Sequence, residues 1–396
     1  MGDTTATSRT EVPPVITCRE PGSFAHGVMA ERHPALIEQV REAFPYGPAQ
    51  HRALDALLHE ILHGVVEPLG PGSPDRELWL GRGPEHFGRP WFDAPFLWAE
   101  SYFYRRLLEA VGYFGAGPWQ GIDPFATFKR AELSGSTVEE ELRALDDLAG
   151  APAAERATAL LQASLWGNRA DLGFRGPAGE STPGEADPGL VADDSAALWS
   201  LLPAGSPATV AVIADNTGRE LIPDLVLIDH LLRHGHAERV ALHVKPSPYY
   251  VSDAMTADVV DCLRRMSRAP GEAGAIGGRI REAMGTGRID VRTHAFFCAP
   301  YPYERMPADL REELGAATLT ILKGDLNYRR LVGDRRWPAT TPFAGLTAYF
   351  PGAVAALRTL KSDVVVGLDQ ETLDRLEGSG RAWRTSGTHA LIQVRP

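Results

Sequence analysis

The sequence predicts an α/β fold in which a largely parallel sheet, covered on both faces, follows a mostly helical portion. Three observations carry this. Apolar residues recur at helical spacing in the first half, short β-branched runs alternate with helix-length segments in the second, and a stretch rich in Gly, Pro, Ser and acids separates them. Strands that are apolar throughout and joined by helix-length connections belong to sheets buried on both sides.

Residues 1–20 contain no basic segment leading into an apolar one, so they are expected to be disordered or extended rather than a secretory leader. Residues 21–172 form the helical portion, with apolar sets at Leu36, Ile37 and Val40, at Leu54, Leu57, Leu58, Ile61 and Leu62, at Phe96, Leu97, Tyr104, Leu107 and Leu108, and at Leu142, Leu145 and Leu148. Residues 173–194 lack periodicity and read as a loop or linker. In the remaining core, 195–396, strands are expected at 208–214, 239–244, 289–297, 317–322, 363–368 and 389–394, with helices at 221–232 and 256–268 among the connections.

The composition narrows the function. With 396 residues, 44% hydrophobic and 23% charged, the chain is an ordinary globular protein. Its formal charge of −11 disfavours a nucleic-acid backbone as partner. Cys18, Cys262 and Cys298 are too scattered for a disulfide framework or a thiolate metal site, which suits a reducing, cytoplasmic setting. No apolar run approaches the roughly 20 residues that span a bilayer. Neither a membrane nor an obligate protein partner is expected.

Ligands of open α/β sheets lie beyond the carboxyl ends of the strands. The first run there ends in Asp215-Asn216-Thr217-Gly218-Arg219-Glu220, and the second leads into Lys245 and then Asp253. Each acid could cap a helix. Read together, two carboxylates and an amide at neighbouring crossings make a three-ligand site for Mg²⁺ or Mn²⁺. Lys323-Gly324-Asp325-Leu326-Asn327-Tyr328-Arg329-Arg330 follows another run, and Arg358-Thr359-Leu360-Lys361 precedes the next. Cations around a glycine suit phosphate oxygens, so the substrate is expected to be anionic. The chain has no G-x-G-x-x-G turn, nucleophile elbow, Walker loop or H-E-x-x-H.

Taken in order, Asp215 to Leu221, Val251-Ser252-Asp253, Lys323 to Arg329 and Arg358-Thr359-x-Lys361 resemble the motifs of the damage-control phosphatases, formerly domain of unknown function 89. The Arg-Thr-x-Lys motif points to their acidic-residue methyltransferase-like subfamily. Upstream, Ser23-Phe24-Ala25 with Glu31-Arg32-x-Pro34, Glu100-x-Tyr102-x-Tyr104-Arg105-Arg106 and Leu165 to Leu172 extend the likeness over about residues 20 to 395. The resemblance implies a three-layer α/β/α sandwich with a helical N-terminal portion and a phosphatase dependent on Mn²⁺ or Mg²⁺, with Ni²⁺ or Co²⁺ as alternates. It implies that Asp215, Asn216 and Asp253 hold the metal. Asp325, Leu326, Asn327, Tyr328, Arg329 and Lys361 would hold the substrate, with Arg32, Glu100 and Asn168 as further candidates.

The expected activity is hydrolysis of a phosphomonoester of a small metabolite, a sugar phosphate. Asp215, Asn216, Glu220 and Asp253 would face the substrate, Lys323, Arg329 and Lys361 would supply positive charge, and Asp253, with Asp215, would act as catalytic group. Asp253 could attack phosphorus itself or serve a water nucleophile. Two other readings compete: an S-adenosylmethionine-dependent carboxyl methyltransferase, against which the absent glycine-rich turn argues, and a pseudoenzyme that binds a phosphorylated ligand.

Overall fold

The computed structural model describes residues 12–167 and 189–396. Among these, seven strands form one sheet in the order β1-β7-β6-β5-β2-β3-β4. They are β1 (Leu190–Asp193), β2 (Thr209–Ile213), β3 (Arg239–Val244), β4 (Ile289–Thr293), β5 (Leu319–Lys323), β6 (Val354–Thr359) and β7 (Ala390–Arg395). Every neighbouring pair is parallel except β6 with β7, which is antiparallel.

Strand alternation builds the layers. Val210 and Val212 of β2 join Leu160, Leu161 and Leu225 in one apolar cluster, from helices Ala153–Trp166 and Leu221–Arg233. Ala211 and Ile213 join Tyr102, Phe103 and Leu331 in another, from helices Phe96–Val111 and Gly324–Val332. This is the α/β/α sandwich. Leu36, Leu54 and Leu57 share the second cluster with the sheet residues Leu322 and Val354. Part of the helical N-terminal portion is therefore a layer of the sandwich.

Several elements depart from the expected ones. No strand forms at 363–368; the strand is β6, whose end was read as a loop. Its six residues are all buried, Arg358 included. A charged residue inside a strand hides its burial pattern from sequence. The 363–368 stretch is apolar because it packs against the core, and side chains satisfy its backbone. Gln393 Nε2 donates to Val366 O at 2.7 Å, and Val366 N donates to the Tyr328 hydroxyl at 3.2 Å. The 289–297 run is strand only to Thr293 and then becomes the 3₁₀ turn Ala295–Cys298. Strand β1 lies inside the stretch read as a linker, whose residues 173–188 are outside those described.

In the N-terminal segment Val15 bridges to Arg335 and Thr17 to Pro95, and the chain bends at Cys18 and Glu20. All three cysteines are free, and no described helix is long and apolar enough to cross a membrane.

Candidate active site

The chain leaves β2 toward β3 on one side and β5 toward β6 on the other, so β2 and β5, which are neighbours, flank a topological switch point. Crevices open at such points, where the two connections diverge. Asp215 stands at the end of β2 and Gly324 at the end of β5. They touch: a Cβ on Gly324, whose φ is +82°, would lie 1.9 Å from Asp215 Oδ2. Glycine permits both this left-handed backbone and the close approach.

The loops after β2 and β3 are laced together. Ala254 N donates to Asp215 O at 2.9 Å, Thr217 N to Ser252 O at 2.8 Å, and the Ser252 hydroxyl to Asn216 Oδ1 at 2.7 Å. Asn216 and Asp253 form an isolated antiparallel bridge. The loops thus bring Asp215, Asn216 and Asp253 together, as expected. The capping alternative fails for both acids. No side chain caps helix Leu221–Arg233, and at helix Thr256–Ser267 the Met255 N–H is taken by Asp258, at 2.8 Å.

The site is buried and acidic. Asp215 and Asp253 are both buried. Burial, then the nearby Glu220 and Asp253 carboxylates, push the Asp215 pKa well above its ordinary value, against Lys245 and Lys361. Burial also raises Asp253, opposed chiefly by Lys245. Asn216 Nδ2 donates to Asp215 Oδ2 at 3.1 Å and to Glu220 Oε2 at 3.0 Å. Glu220 Oε1 pairs with Lys361 Nζ at 3.3 Å.

These donors, two buried carboxylates and a carboxamide with Glu220 behind, fit a hard divalent cation, which would offset the charge that now raises Asp215. Ligation through Asn216 Oδ1 needs the amide turned over, after which Nδ2 would face Ser252. Among the described residues no three His, Cys, Asp or Glu form a metal cluster by themselves.

Lys245 was not among the residues singled out from sequence. It is fully buried, and its Nζ lies 3.8 Å from Asp253 Oδ2 without a hydrogen-bond partner. Three unsatisfied N–H groups on a buried ammonium are costly unless something else accepts from them. Its place at the strand end, directly before Pro246-Ser247-Pro248, was the available signal. Lys129 was also missed. Its Nζ donates to Asp253 O at 2.9 Å and contacts Asp258 and Asp123 at 3.0 Å each, which pins the Asp253 loop.

The other expected substrate residues divide. Asp325 accepts from Arg358 Nε at 2.8 Å and from the Lys361 N–H at 3.1 Å, and its pKa is lowered because Arg358 and its other donors outweigh burial. Lys361 is half-exposed and faces Glu220; against burial, the carboxylates of Glu220, Asp215 and Asp325 raise its pKa. Lys323 turns inward instead, pairing with Asp224 at 2.8 Å and the Ser164 hydroxyl at 2.9 Å. Arg329 pairs with Glu100 at 2.7 Å and Asp334 at 2.9 Å. These two cations are neutralised inside the fold, because their positions direct them into packed layers and a buried charge requires a partner.

Asn327 and Tyr328 also point inward. Asn327 accepts from the Tyr303 hydroxyl at 2.8 Å, and the Tyr328 hydroxyl donates to Gln393 at 2.8 Å. Leu326 packs with Leu97 and Tyr249. What residues 325–327 can offer the crevice is backbone N–H groups, in the first turn of helix Gly324–Val332. Glu100 is buried and also accepts from the Tyr250 hydroxyl at 3.4 Å. Arg32 is exposed at the end of the π turn Val28–Arg32. Asn168 lies outside the described residues; Gly167 before it abuts Glu220, where a Cβ would meet Cγ at 2.5 Å. Arg219 is engaged by Glu141, to which its Nε donates at 2.8 Å.

Fold and site together define a doubly wound α/β protein with a carboxylate-rich crevice at its switch point. Its sequence matches the damage-control phosphatase ARMT1-like domain over residues 28–376. The curated protein "Damage-control phosphatase ARMT1" from Homo sapiens is 32% identical, covering 96% of this chain and 98% of its own length. The Danio rerio protein of that name is 32% identical over 96% of both chains, and the one from Rattus norvegicus 30% identical over 97% and 98%. The chain belongs to the ARMT1-like damage-control phosphatase family, and with it comes a phosphatase-type function. A solved DUF89 family protein from Pyrococcus horikoshii shares the fold, with a TM-score of 0.51 at 14% identity, covering 93% of this chain and 96% of that one.

Proposed function

We propose that this chain is a divalent-metal-dependent phosphatase that hydrolyses a phosphomonoester of a small metabolite, a sugar phosphate. The observation that carries the reading is the meeting of Asp215, Asn216 and Asp253 at the switch point, with Lys245 unpartnered beside them. Asp215, Asn216 and Asp253 would hold Mn²⁺ or Mg²⁺, which when bound supplies positive charge against the phosphate oxygens.

The chain's own residues do the rest. We assign Lys245 Nζ and Lys361 Nζ to the phosphate, one from the buried floor, where a water-poor setting strengthens the contact, and one from the half-exposed rim. We assign Asp253 to the attacking oxygen. Its Oδ2 accepts from the Tyr250 N–H at 3.2 Å and its carbonyl from Lys129, so its geometry is set before substrate enters. The first-turn N–H groups of helix Gly324–Val332 give further donors for an anion.

The test is phosphate release from a panel of sugar phosphates with Mn²⁺, with Mg²⁺ and with EDTA. Turnover should require the metal and fall by at least about a thousandfold in Asp253→Asn, which keeps shape but removes the charge. Turnover unaffected by EDTA, or an Asp253→Asn variant as active as the parent, would end the proposal.

A further inference from the structure

A second cavity lies away from the Asp215 crevice, between the N-terminal segment, the 81–98 region and the 300–349 region. Its volume is about 960 Å³, and its lining includes none of Asp215, Asn216, Glu220, Asp253, Asp325 or Lys361. A space of this size is ample for a small organic ligand.

Its notable residue is Arg82. The side chain is about nine-tenths buried, and among the described residues it has neither an ion pair nor a side-chain hydrogen bond; its Nε is buried with no partner. The three acids that line the cavity, Glu85, Glu304 and Asp334, make no ion pair with it, and Glu304 is exposed. Asp334 is committed to Arg329, and Glu85 is exposed and faces His86 at 3.6 Å. Burial accordingly lowers the Arg82 pKa from its ordinary value.

Aromatic residues hold the Arg82 backbone and flank its guanidinium. The Trp98 indole N–H donates to the Arg82 carbonyl, and the guanidinium lies 5.2 Å from the centroid of Trp79 and 6.0 Å from that of Tyr301. Two aromatic faces give such a cation partial compensation, but they satisfy none of its N–H donors. Beyond it the lining is largely apolar and aromatic, with Trp98, Tyr301, Trp337 and Tyr349, and Arg305 leans over Tyr301 from the rim at 5.5 Å. A fixed planar fork of donors at the end of an aromatic-lined cavity matches a carboxylate or phosphonate head on a flat apolar body.

We propose that this cavity binds an organic anion, with its oxyanion head on Arg82 and its flat body against the aromatic lining. The site stands apart from the phosphatase reading and would survive its failure.

The experiment is calorimetric titration of the full-length protein with 2-naphthoate and naphthalene-2-phosphonate, with neutral 2-naphthamide as the uncharged control. The two anions should bind saturably, one per chain, at least about tenfold more tightly than the amide. Arg82→Gln should abolish that preference while leaving phosphate release unchanged, and Asp253→Asn should leave anion binding intact. Trp337→Ala should weaken 2-naphthoate at least about fivefold, which keeps the idea testable should Arg82→Gln fail to fold. Charge-blind binding, unaltered binding in Arg82→Gln or Trp337→Ala, or loss of binding in Asp253→Asn would overturn the assignment.

Discussion

Gly324→Ala should separate catalytic geometry from stability, because a second glycine in the same helix provides a matched control. Gly324 and Gly333 bracket helix Gly324–Val332 with φ of +82° and +81°. Alanine at either position is strained by the positive φ, by at least about 1–2 kcal/mol, and Gly333, with ψ of 137°, lies outside even the left-handed helical region. The two differ in surroundings. At Gly333 the new methyl would meet Arg335 Cδ and Trp337 Nε1 at 3.9 Å, an ordinary contact. At Gly324 it would fall 1.9 Å from Asp215 Oδ2 and 2.2 Å from its Cγ. To reach even 3.0 Å, the Asp215 oxygen or the end of β5 must retreat by 1.1 Å. A displacement of that size at a reacting centre costs about a hundredfold in rate. Gly333→Ala should therefore lose only stability in urea unfolding, and Gly324→Ala should lose stability together with about two decades of metal-dependent phosphate release. Equal activity in the two variants, both folded, would refute the placement of Asp215 at the reacting centre.

Further outcomes follow from other contacts. Lys245→Met, which keeps the apolar stem, should raise KM and cut kcat/KM by at least about a hundredfold, with stability held or increased, since it removes a buried ammonium that lacks a hydrogen-bond partner; wild-type kinetics would remove Lys245 from the site. Arg358→Lys should destabilise the fold by about 3–5 kcal/mol in urea unfolding, because one ammonium cannot replace a fully buried guanidinium that pairs with Asp325 at 2.7 Å, bonds Ser362 at 2.9 Å and lies over Tyr328. His33, stacked on Phe103 at 3.7 Å, has its pKa lowered by burial to about 3. The unfolded chain therefore takes up this proton first, and stability is full above the ordinary histidine value of 6.5 and lost as pH falls from there toward about 3. At pH 5 the loss is about 2 kcal/mol relative to pH 7; His33→Phe should remove that share of the pH dependence in paired urea titrations, and an unchanged slope would mean that His33 is charged in the folded protein.

The legibility of the site varied with how each residue's role is set. Asp215, Asn216 and Asp253 could be found from sequence because strand ends are marked by the close of an apolar run, and their chemistry needs polar residues where the chain turns. Lys323 and Arg329 have the same local signature, yet they face Asp224 and Glu100, and those partners stand 99 and 229 positions away in the chain. Local pattern cannot tell a cation aimed at a ligand from one aimed at a distant carboxylate. Lys245 was missed for the converse reason. A lone lysine after a strand reads as a solvated end, and only its burial beside Asp253 gives it significance. Strand β6 was obscured because Arg358, inside it, is neutralised by Asp325 rather than by solvent.

By itself the sequence determined the layered α/β class, the helical first portion, the carboxylates at the ends of β2 and β3, and the family, because each of these depends on order and periodicity along the chain. Tertiary structure decided the sheet order, which places β5 beside β2 and so brings Gly324 against Asp215. It also decided which cations remain available. Of the lysines and arginines gathered after the strands, Lys323 and Arg329 are spent on internal ion pairs, Lys361 is shared with Glu220, and Lys245 is left beside Asp253 with no hydrogen-bond partner. Charge is a property of a residue, but its availability depends on burial and on the nearest opposite charge, and both arise only when segments far apart in the chain pack together.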